Sequence, residues 1–296
     1  MERTDLRFLG RRVTGEDLTM IREIVGSCGG LTRMELANTV CELLGWRRRS
    51  RSLKARECRE FLEKLDGRGL LVLPDKRAGR PMGSRTAIPV TEGGNAGDRI
   101  QGTAHDVGRL ELELVRSDEG RRLFRELVGR YHYLGHAVPF GAHLRYLIYA
   151  ELPERSVVAC MQFCSAAWRI AVRDEWIGWD DGTRVRNLQR IVNNSRFLVL
   201  PWVEVKNLAS RILSEAIRRV VVDWKQYYGV EPLLAETLVD PRRYRGTCYR
   251  AANWIELGRT SGLGRQDRRR RGGEVAPKTV LIYPLAQDAA ERLRER

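Results

Sequence analysis

RFLVLPWVEVKNLASRILSEAIRRVVVDWKQYYGVEPLLAETLVDPRRYRGTCYRAANWIELGRT, Arg196–Thr260, is the stretch that decides the fold. In its centre Val205, Leu208, Ala209, Ile212, Leu213, Ala216, Ile217 and Val220 recur at helical spacing on one stripe. Lys206, Asn207, Ser210, Arg211, Glu215, Arg218 and Arg219 fall on the opposite side. Apolar runs flank this helix, Phe197–Leu200 before it and Leu233–Val239 after it. Short apolar runs without polar alternation fit strands covered on both faces, and the intervening helix makes them parallel neighbours in a β-α-β crossover. A second helix and strand follow at once, so the segment predicts an α/β domain.

Upstream, a helix is expected from Ser117 to about Tyr131, then a hairpin of Leu144–Ala150 with Ser156–Phe163 and an irregular Trp-rich stretch. Downstream come a short helix around Tyr244–Ala252, a strand Trp254–Thr260, a basic loop and a last strand Thr279–Leu285. Antiparallel hairpins ahead of a parallel crossover give a mixed sheet, placed in a domain of residues 107–296.

Residues 1–85 read as a separate module. Helices are expected over Thr14–Val25, from Thr32 and over Ser52–Leu65, the second opened by a capping box of Thr32 and Glu35. A strand Leu70–Leu73 and a Gly-, Pro- and Arg-rich loop, Ala78–Arg85, complete the pattern of a winged helix-turn-helix. Arg47, Arg48, Arg49, Arg51, Lys54, Arg56 and Arg59 precede or begin the third helix, where they would meet phosphates and groove edges of DNA. Glu57, Glu60 and Glu63 dilute that charge, so a solvated face on a protein-interaction module is the other reading. Residues 86–106, with Gly93-Gly94-Asn95-Ala96-Gly97, are expected to be a linker, with a short wing strand at Thr86–Val90.

The chain of 296 residues has room for two domains, and its net charge of +15 points to a polyanionic partner, with DNA first. Six scattered cysteines, no secretory signal and no apolar run long enough for a bilayer predict a reducing cytoplasm and no membrane partner. Cys160 and Cys164, four apart on one strand, read as buried thiols. There is no Gly-x-x-x-x-Gly-Lys loop, so ATP hydrolysis would fall to another subunit.

The order of elements resembles the GNAT acyltransferase fold, with Tyr244–Thr260 similar to its closing helix and strand. More narrowly, five runs resemble the bacterial family typified by DruA of the Druantia anti-phage system. They are YHYLGH (Tyr131–His136), GAHLRYLI (Gly141–Ile148), NNSRFLVLPWV (Asn193–Val203), NLASRIL (Asn207–Leu213) and ETLVDPRRYRGTCYRAANW (Glu236–Trp254). A more distant likeness is to Mom-type phage proteins that modify adenine in DNA. The resemblance implies a role in defence against phage, partner subunits of a defence system, and chemistry on nucleic acid.

Several side chains are candidates for that chemistry. Glu236 and Asp240 point to the same face of one strand, with Asp240 at its C-terminal edge where sites of open α/β sheets collect. Glu236 is either a general base or one half of a buried ion pair with Arg196 or Arg211. Tyr131, His132, Tyr133 and His136 offer proton transfer near neutral pH, or a helix-end cap; His132 and His136 suit a metal only if the helix runs that far, and none is assigned. Tyr244 and Tyr249 are either acids toward a leaving group or core aromatics. The cofactor is not identified: the turn Pro201–Ser210 lacks the glycines that cradle CoA pyrophosphate in GNAT proteins, though Lys206 and Asn207 flank a helix N-terminus open to an anion. Trp168, Trp176, Trp179 and Trp202, interleaved with Arg169, Arg173, Arg184 and Arg186, fit base stacking or a core; Arg268, Arg269, Arg270 and Arg271 fit a phosphate clamp.

Three functions follow as expectations. One is a DNA-directed effector or sensor with possible group transfer to a base; another is a catalytically silent nucleic-acid-binding subunit that recruits a helicase or nuclease. The third is a mobile-element protein acting on DNA strands through a pair such as Tyr133 and His136.

Overall fold

A computed structural model describes residues 6–27, 32–46, 48, 53–75, 88, 90–139, 142–151, 154–260 and 276–295. Two short strands, β1 (Arg7–Phe8) and β2 (Arg11–Arg12), lead into helices α1 (Gly15–Ser27), α2 (Arg33–Leu43) and α3 (Ala55–Gly67). Reciprocal caps start the first two helices. Thr14 and Asp17 exchange bonds of 3.0 and 3.1 Å, and the expected capping box forms as Thr32 N–H donates to Glu35 at 2.8 Å while Glu35 N–H donates to Thr32 at 3.3 Å. Ile21, Ile24, Leu36, Val40, Leu62 and Leu65 make the core. Phe8 stacks on Trp46 at 3.8 Å and Phe61 meets both rings edge-on, closing one end.

Leu70–Leu73 is not a strand among the described residues. Leu71 and Leu73 are buried and Val72 is exposed, but the segment is held by Leu73 N–H on Asp66 at 3.0 Å and Arg33 on the Pro74 carbonyl at 2.8 Å. The expected wing loop Ala78–Arg85 lies outside the described residues, as does most of the strand expected at Thr86–Val90.

The remaining elements are β3 (Ile100–Thr103), β4 (Leu110–Leu114), α4 (Asp118–Tyr131), β5 (His143–Glu151), β6 (Arg155–Ser165), α5 (Ala171–Ile177), α6 (Asp181–Asn187), β7 (Ile191–Val199), β8 (Val203–Lys206), α7 (Leu208–Tyr228), β9 (Leu234–Val239), α8 (Thr247–Ala251), β10 (Ile255–Arg259), β11 (Thr279–Pro284) and α9 (Ala289–Arg294). Among the described residues seven strands form one sheet in the order β10-β11-β9-β7-β6-β5-β4. Among the described residues of this sheet only β7 and β9 run parallel, joined by the α7 crossover, and they pair over Ile191–Asn193 and Leu234–Glu236 before they part. The sheet is mixed, with antiparallel pairs ahead of a parallel crossover, as expected.

Leu208, Ile212, Leu213, Ala216, Ile217 and Val220 of α7 are buried, as their spacing requires. Burying each of the leucine, isoleucine and valine side chains among them contributes about 1.5–3 kcal/mol. Tyr146 of β5 reaches Asp223 of α7 at 3.0 Å, so its neighbour Arg145 points to the opposite face, where it lies 5.7 Å from the Phe124 ring of α4. At the sheet margin, Arg155 bridges Glu111 and Glu113 of the outer strand β4 at 2.8 and 2.9 Å.

Two expectations change. The segment read as a linker over 86–106 is tied down from Thr91 onward: buried Glu126 accepts from Thr91 N–H and Oγ1 at 2.7 Å each, and Tyr131 donates to the Gly94 carbonyl at 3.0 Å. Glycine is needed at 94, because a Cβ there would lie 2.1 Å from Glu126 Oε1. Further on, β3 pairs with β8, and Arg211 donates to the Ala104 and Gly108 carbonyls. The Trp-rich stretch forms α5 and α6 instead of irregular chain. There Val185 and Trp168 pack into the N-terminal core, so the two halves of the chain share a hydrophobic seam.

Candidate functional site

The sheet opens at the C-terminal end of β9, and two sequence runs more than a hundred residues apart meet there. Helix α4 ends at Tyr131, and His132 leaves it in extended conformation (φ −91°, ψ 130°). Gly135 then turns with φ 63°, so His132 and His136 do not share a helix face. Among the described residues no three His, Cys, Asp or Glu side chains gather as a metal set.

Across from this loop, Asp240 caps its own turn. Its carboxylate accepts from Arg242 N–H at 3.1 Å and from the Arg242 guanidinium at 3.0 and 2.8 Å, while its carbonyl accepts from Arg243 and Tyr244 N–H. The Arg242 bonds hold this carboxyl down to about 2 despite burial. The turn brings Arg243 over the Tyr133 ring at 5.2 Å and the Tyr244 ring to 5.4 Å from it. His132 stacks on Tyr133 at 4.9 Å. Burial, then the charge of Arg196, lowers His132 to about 4, and burial followed by Asp240 raises the Tyr133 phenol. At neutral pH the pair is an uncharged imidazole beside a protonated phenol. Arg196 ties the loop to the sheet, donating to the Gly135 carbonyl at 3.0 Å and to the Ser195 carbonyl at 2.7 Å. Ser195 is the extra residue of a bulge on β7, between the pairs Gln162–Arg196 and Phe163–Asn194.

The other candidates lie elsewhere or are committed to packing. Glu236 is fully buried and ion-paired at 2.9 Å with Arg173, equally buried, and not with Arg196 or Arg211. Arg173 also reaches Asp174 at 2.7 Å and the carbonyls of Ala167 and Trp168. Tyr249 donates to Asn194 Oδ1 at 2.6 Å, and Thr237 donates to the Asn194 carbonyl at 3.0 Å. These bonds bridge β7 and β9 where their ladder stops. Lys206 and Asn207 are exposed at the start of α7, with Asn207 at φ 61° taking a left-handed turn that glycine usually occupies. Lys206 pairs with Thr103, so the chain before β4 runs beside this helix terminus.

Trp168 is half-buried, with Arg184 over its ring at 4.9 Å and the N-terminal core behind it. Trp202 is half-buried, edge-on to Tyr131 at 5.1 Å and against Gly97. Arg48 pairs with Glu57, Arg56 with Glu60 at 3.4 Å, and Lys54 stands at the start of α3. Arg47, Arg49, Arg51 and Arg268, Arg269, Arg270 and Arg271 lie outside the described residues. Arg196, Arg242 and Arg243 escaped the sequence reading as site residues. The run Asp240-Pro241-Arg242-Arg243 carried the signal of a side-chain-capped turn; Arg196 carried none.

A splayed mixed sheet with one parallel crossover, and with basic and aromatic loops meeting at its opening, defines a mixed α/β protein. The family model described as Druantia protein DruA matches residues 75–271, two thirds of the chain, and the chain belongs to that family. No curated protein matches it. Among solved structures it is similar to spermidine N-acetyltransferase from Vibrio cholerae in complex with CoA and spermine, at 8% identity and a TM-score of 0.39 over 60% of this chain and 95% of that one. A dodecameric structure of the Vibrio cholerae enzyme gives 8% identity and a TM-score of 0.32 over 49% of this chain, which spans just 66% of that one. AtaTR bound with AcCoA gives 15% identity and 0.34 over 62% and 97%. Among the described residues no helix is long and apolar enough to cross a membrane.

Proposed function

We propose that this chain serves anti-phage defence by recognising nucleic acid: its N-terminal module takes duplex DNA, and its cleft takes a nucleotide between the His132–His136 loop and the Asp240–Tyr244 turn. The observation that carries the reading is the Tyr133 cluster, where His132, Tyr244 and Arg243 gather around one ring beside Arg196. Rings and guanidinium groups at one opening suit a base that stacks and a phosphate that pairs. Tyr244 is 53% exposed, so its ring is open to a ligand.

The N-terminal contribution is supported by three helices in helix-turn-helix order and by Arg56 and Lys64 on the outer side of α3. Other subunits of a Druantia system are the expected partners, in the cytoplasm.

Within the cleft, Asp240 acts as a positioning residue, because a carboxyl held near 2 by Arg242 is a weak proton acceptor at neutral pH. The test is binding of the full chain to duplex and single-stranded DNA across a salt series. Tyr244→Ala is expected to weaken single-strand binding about five- to tenfold while duplex binding persists, since stacking contributes about 1–3 kcal/mol per base. Equal affinity of wild type and variant for both would remove the cleft from the reading.

A second reading, group transfer to a base, is favoured by the His132–Tyr133 stack, which places a neutral imidazole beside a phenol at the same opening. Mass analysis of nucleosides from phage DNA exposed to the protein with candidate donors tests it. An unaltered profile leaves recognition as the function.

A further inference from the structure

We infer that the α4-facing side of the sheet holds a site for one phosphate group, built by Arg145 and Arg196 on either side of Gln162, with His136 above and Arg125 at the rim. The inference deepens the proposed function by naming the anionic subsite of the same cleft.

Arg145, Gln162 and Arg196 are successive partners across β5, β6 and β7. The outer two backbones are therefore about 10 Å apart, and both side chains stand on one face. Gln162, itself 1% exposed, accepts from Arg145 Nε at 3.0 Å and donates to Ser195 Oγ at 3.0 Å. Arg196 donates to two carbonyl oxygens. Neutral acceptors thus orient both guanidinium groups without cancelling their charge. Arg145 Nη1 and Nη2 and Arg196 Nη2 have no hydrogen-bond acceptor among the described residues.

Several other sheltered arginines in this protein are neutralised, although half-buried Arg186 and Arg190 also bond to neutral oxygens, of Thr183 and Arg292. Arg173 faces Glu236 and Asp174, Arg184 faces Asp181 and Asp174, Arg130 faces Glu126, and Arg211 faces Glu215. Among the described residues no carboxylate lies in ion-pair range of Arg145 or Arg196, although both are half-buried. Sheltered charge without a counter-ion is costly. Arg125, Arg145, Arg196 and His143 also surround His136, whose Nε2 is buried and has no hydrogen-bond partner among the described residues. Burial and Arg125 hold Arg145 below the usual guanidinium range, and burial does the same to Arg196.

An oxyanion resolves each of these features at once. Guanidinium forks match the edges of a tetrahedral phosphate, and an imidazole N–H supplies a further donor. Arg196 also acts on His132 and Tyr133, so a phosphate held here leaves its base facing the Tyr133–Tyr244 rings. The phosphate belongs either to a free nucleotide or to the backbone of a strand.

The experiment titrates full-length protein with inorganic phosphate at constant ionic strength, then with a mononucleotide and a single-stranded oligonucleotide, by calorimetry. Saturable phosphate binding that Arg145→Gln weakens about tenfold, in a variant of unchanged circular dichroism, is the expected result; it corresponds to loss of one charge-assisted contact. Arg155→Gln, at the far sheet margin, is expected to bind as wild type. Tighter binding of the mononucleotide than of the oligonucleotide assigns a free nucleotide, and the reverse order assigns a strand.

If Arg145→Gln does not fold, Arg125→Gln on the surface of α4 takes its place, with an expected two- to threefold loss. Absence of phosphate binding, or binding that neither substitution nor His136→Ala alters, overturns the site. Oligonucleotide binding that survives such a result leaves the proposed function standing. Phosphate binding without oligonucleotide binding does the opposite.

Discussion

Arg173 gives its whole guanidinium to Glu236, Asp174 and two backbone carbonyls, out of reach of water. Arg173→Met is expected to destabilise the fold by about 3–5 kcal/mol in urea unfolding, because it strands a buried carboxylate. Arg173→Met with Glu236→Gln should recover much of that loss; a double variant no better than the single would mean that Glu236 is not the group left in deficit. The histidines predict a pH dependence. His132 and His136 are lowered from 6.5 to about 4, so between those values the unfolded chain binds protons that the folded chain refuses. Stability is full above about 6.5, falls as pH drops through that window and levels below 4. Urea midpoints measured from pH 7.5 to 4.5 should decline, and the decline should shrink in His132→Gln/His136→Gln. His132, Tyr133 and Asp240 were legible as separate candidates because each is an ionisable or phenolic group in a short polar run. Arg196 was not, since only the pairing of β6 with β7 and the return of the loop after α4 bring it beside His132.

Among the elements, α7 and its flanking strands were readable because one face of a long helix meets a continuous core, and periodicity reports that arrangement directly. Helices α5 and α6 were not, having seven residues each and burying Arg173, Thr183 and Arg184 where a pattern reader expects apolar side chains. The segment from Thr91 to Thr103 failed for a different reason: its glycines signal freedom, yet Gly94 is there for close approach to Glu126. Gly94→Ala is therefore expected to push Glu126 from its bonds and cost about 1–3 kcal/mol. Limited proteolysis should then cut between residues 88 and 106. Because Tyr131 is bonded to the same glycine, nucleotide binding at the neighbouring His132 loop should weaken in parallel. Wild-type resistance to protease in this variant would mean that the bonds of Glu126 to Thr91 do not hold the segment down.

At the scale of the molecule, the seam through Val185 and Trp168 joins the N-terminal helices to α6, and α1 packs on that helix. Trp168→Ala removes the ring that Arg184 covers, and loss of a packed tryptophan costs about 3–5 kcal/mol. Calorimetry should show the melting profile broaden or split as the halves uncouple; one sharp transition, merely shifted, would mean that the seam carries little of the cooperativity. Fold class was accessible from sequence because each half has its own pattern, whereas this seam is built from single residues of a short helix and a loop. The sheet also ends in a strand whose outer row of amides and carbonyls faces away from β5, and its two glutamates are bridged by Arg155. Charges on a terminal strand discourage a second molecule from adding its own strand there. Apolar replacements at Glu111 and Glu113 are therefore expected to favour strand-to-strand association between copies, read as concentration-dependent sedimentation.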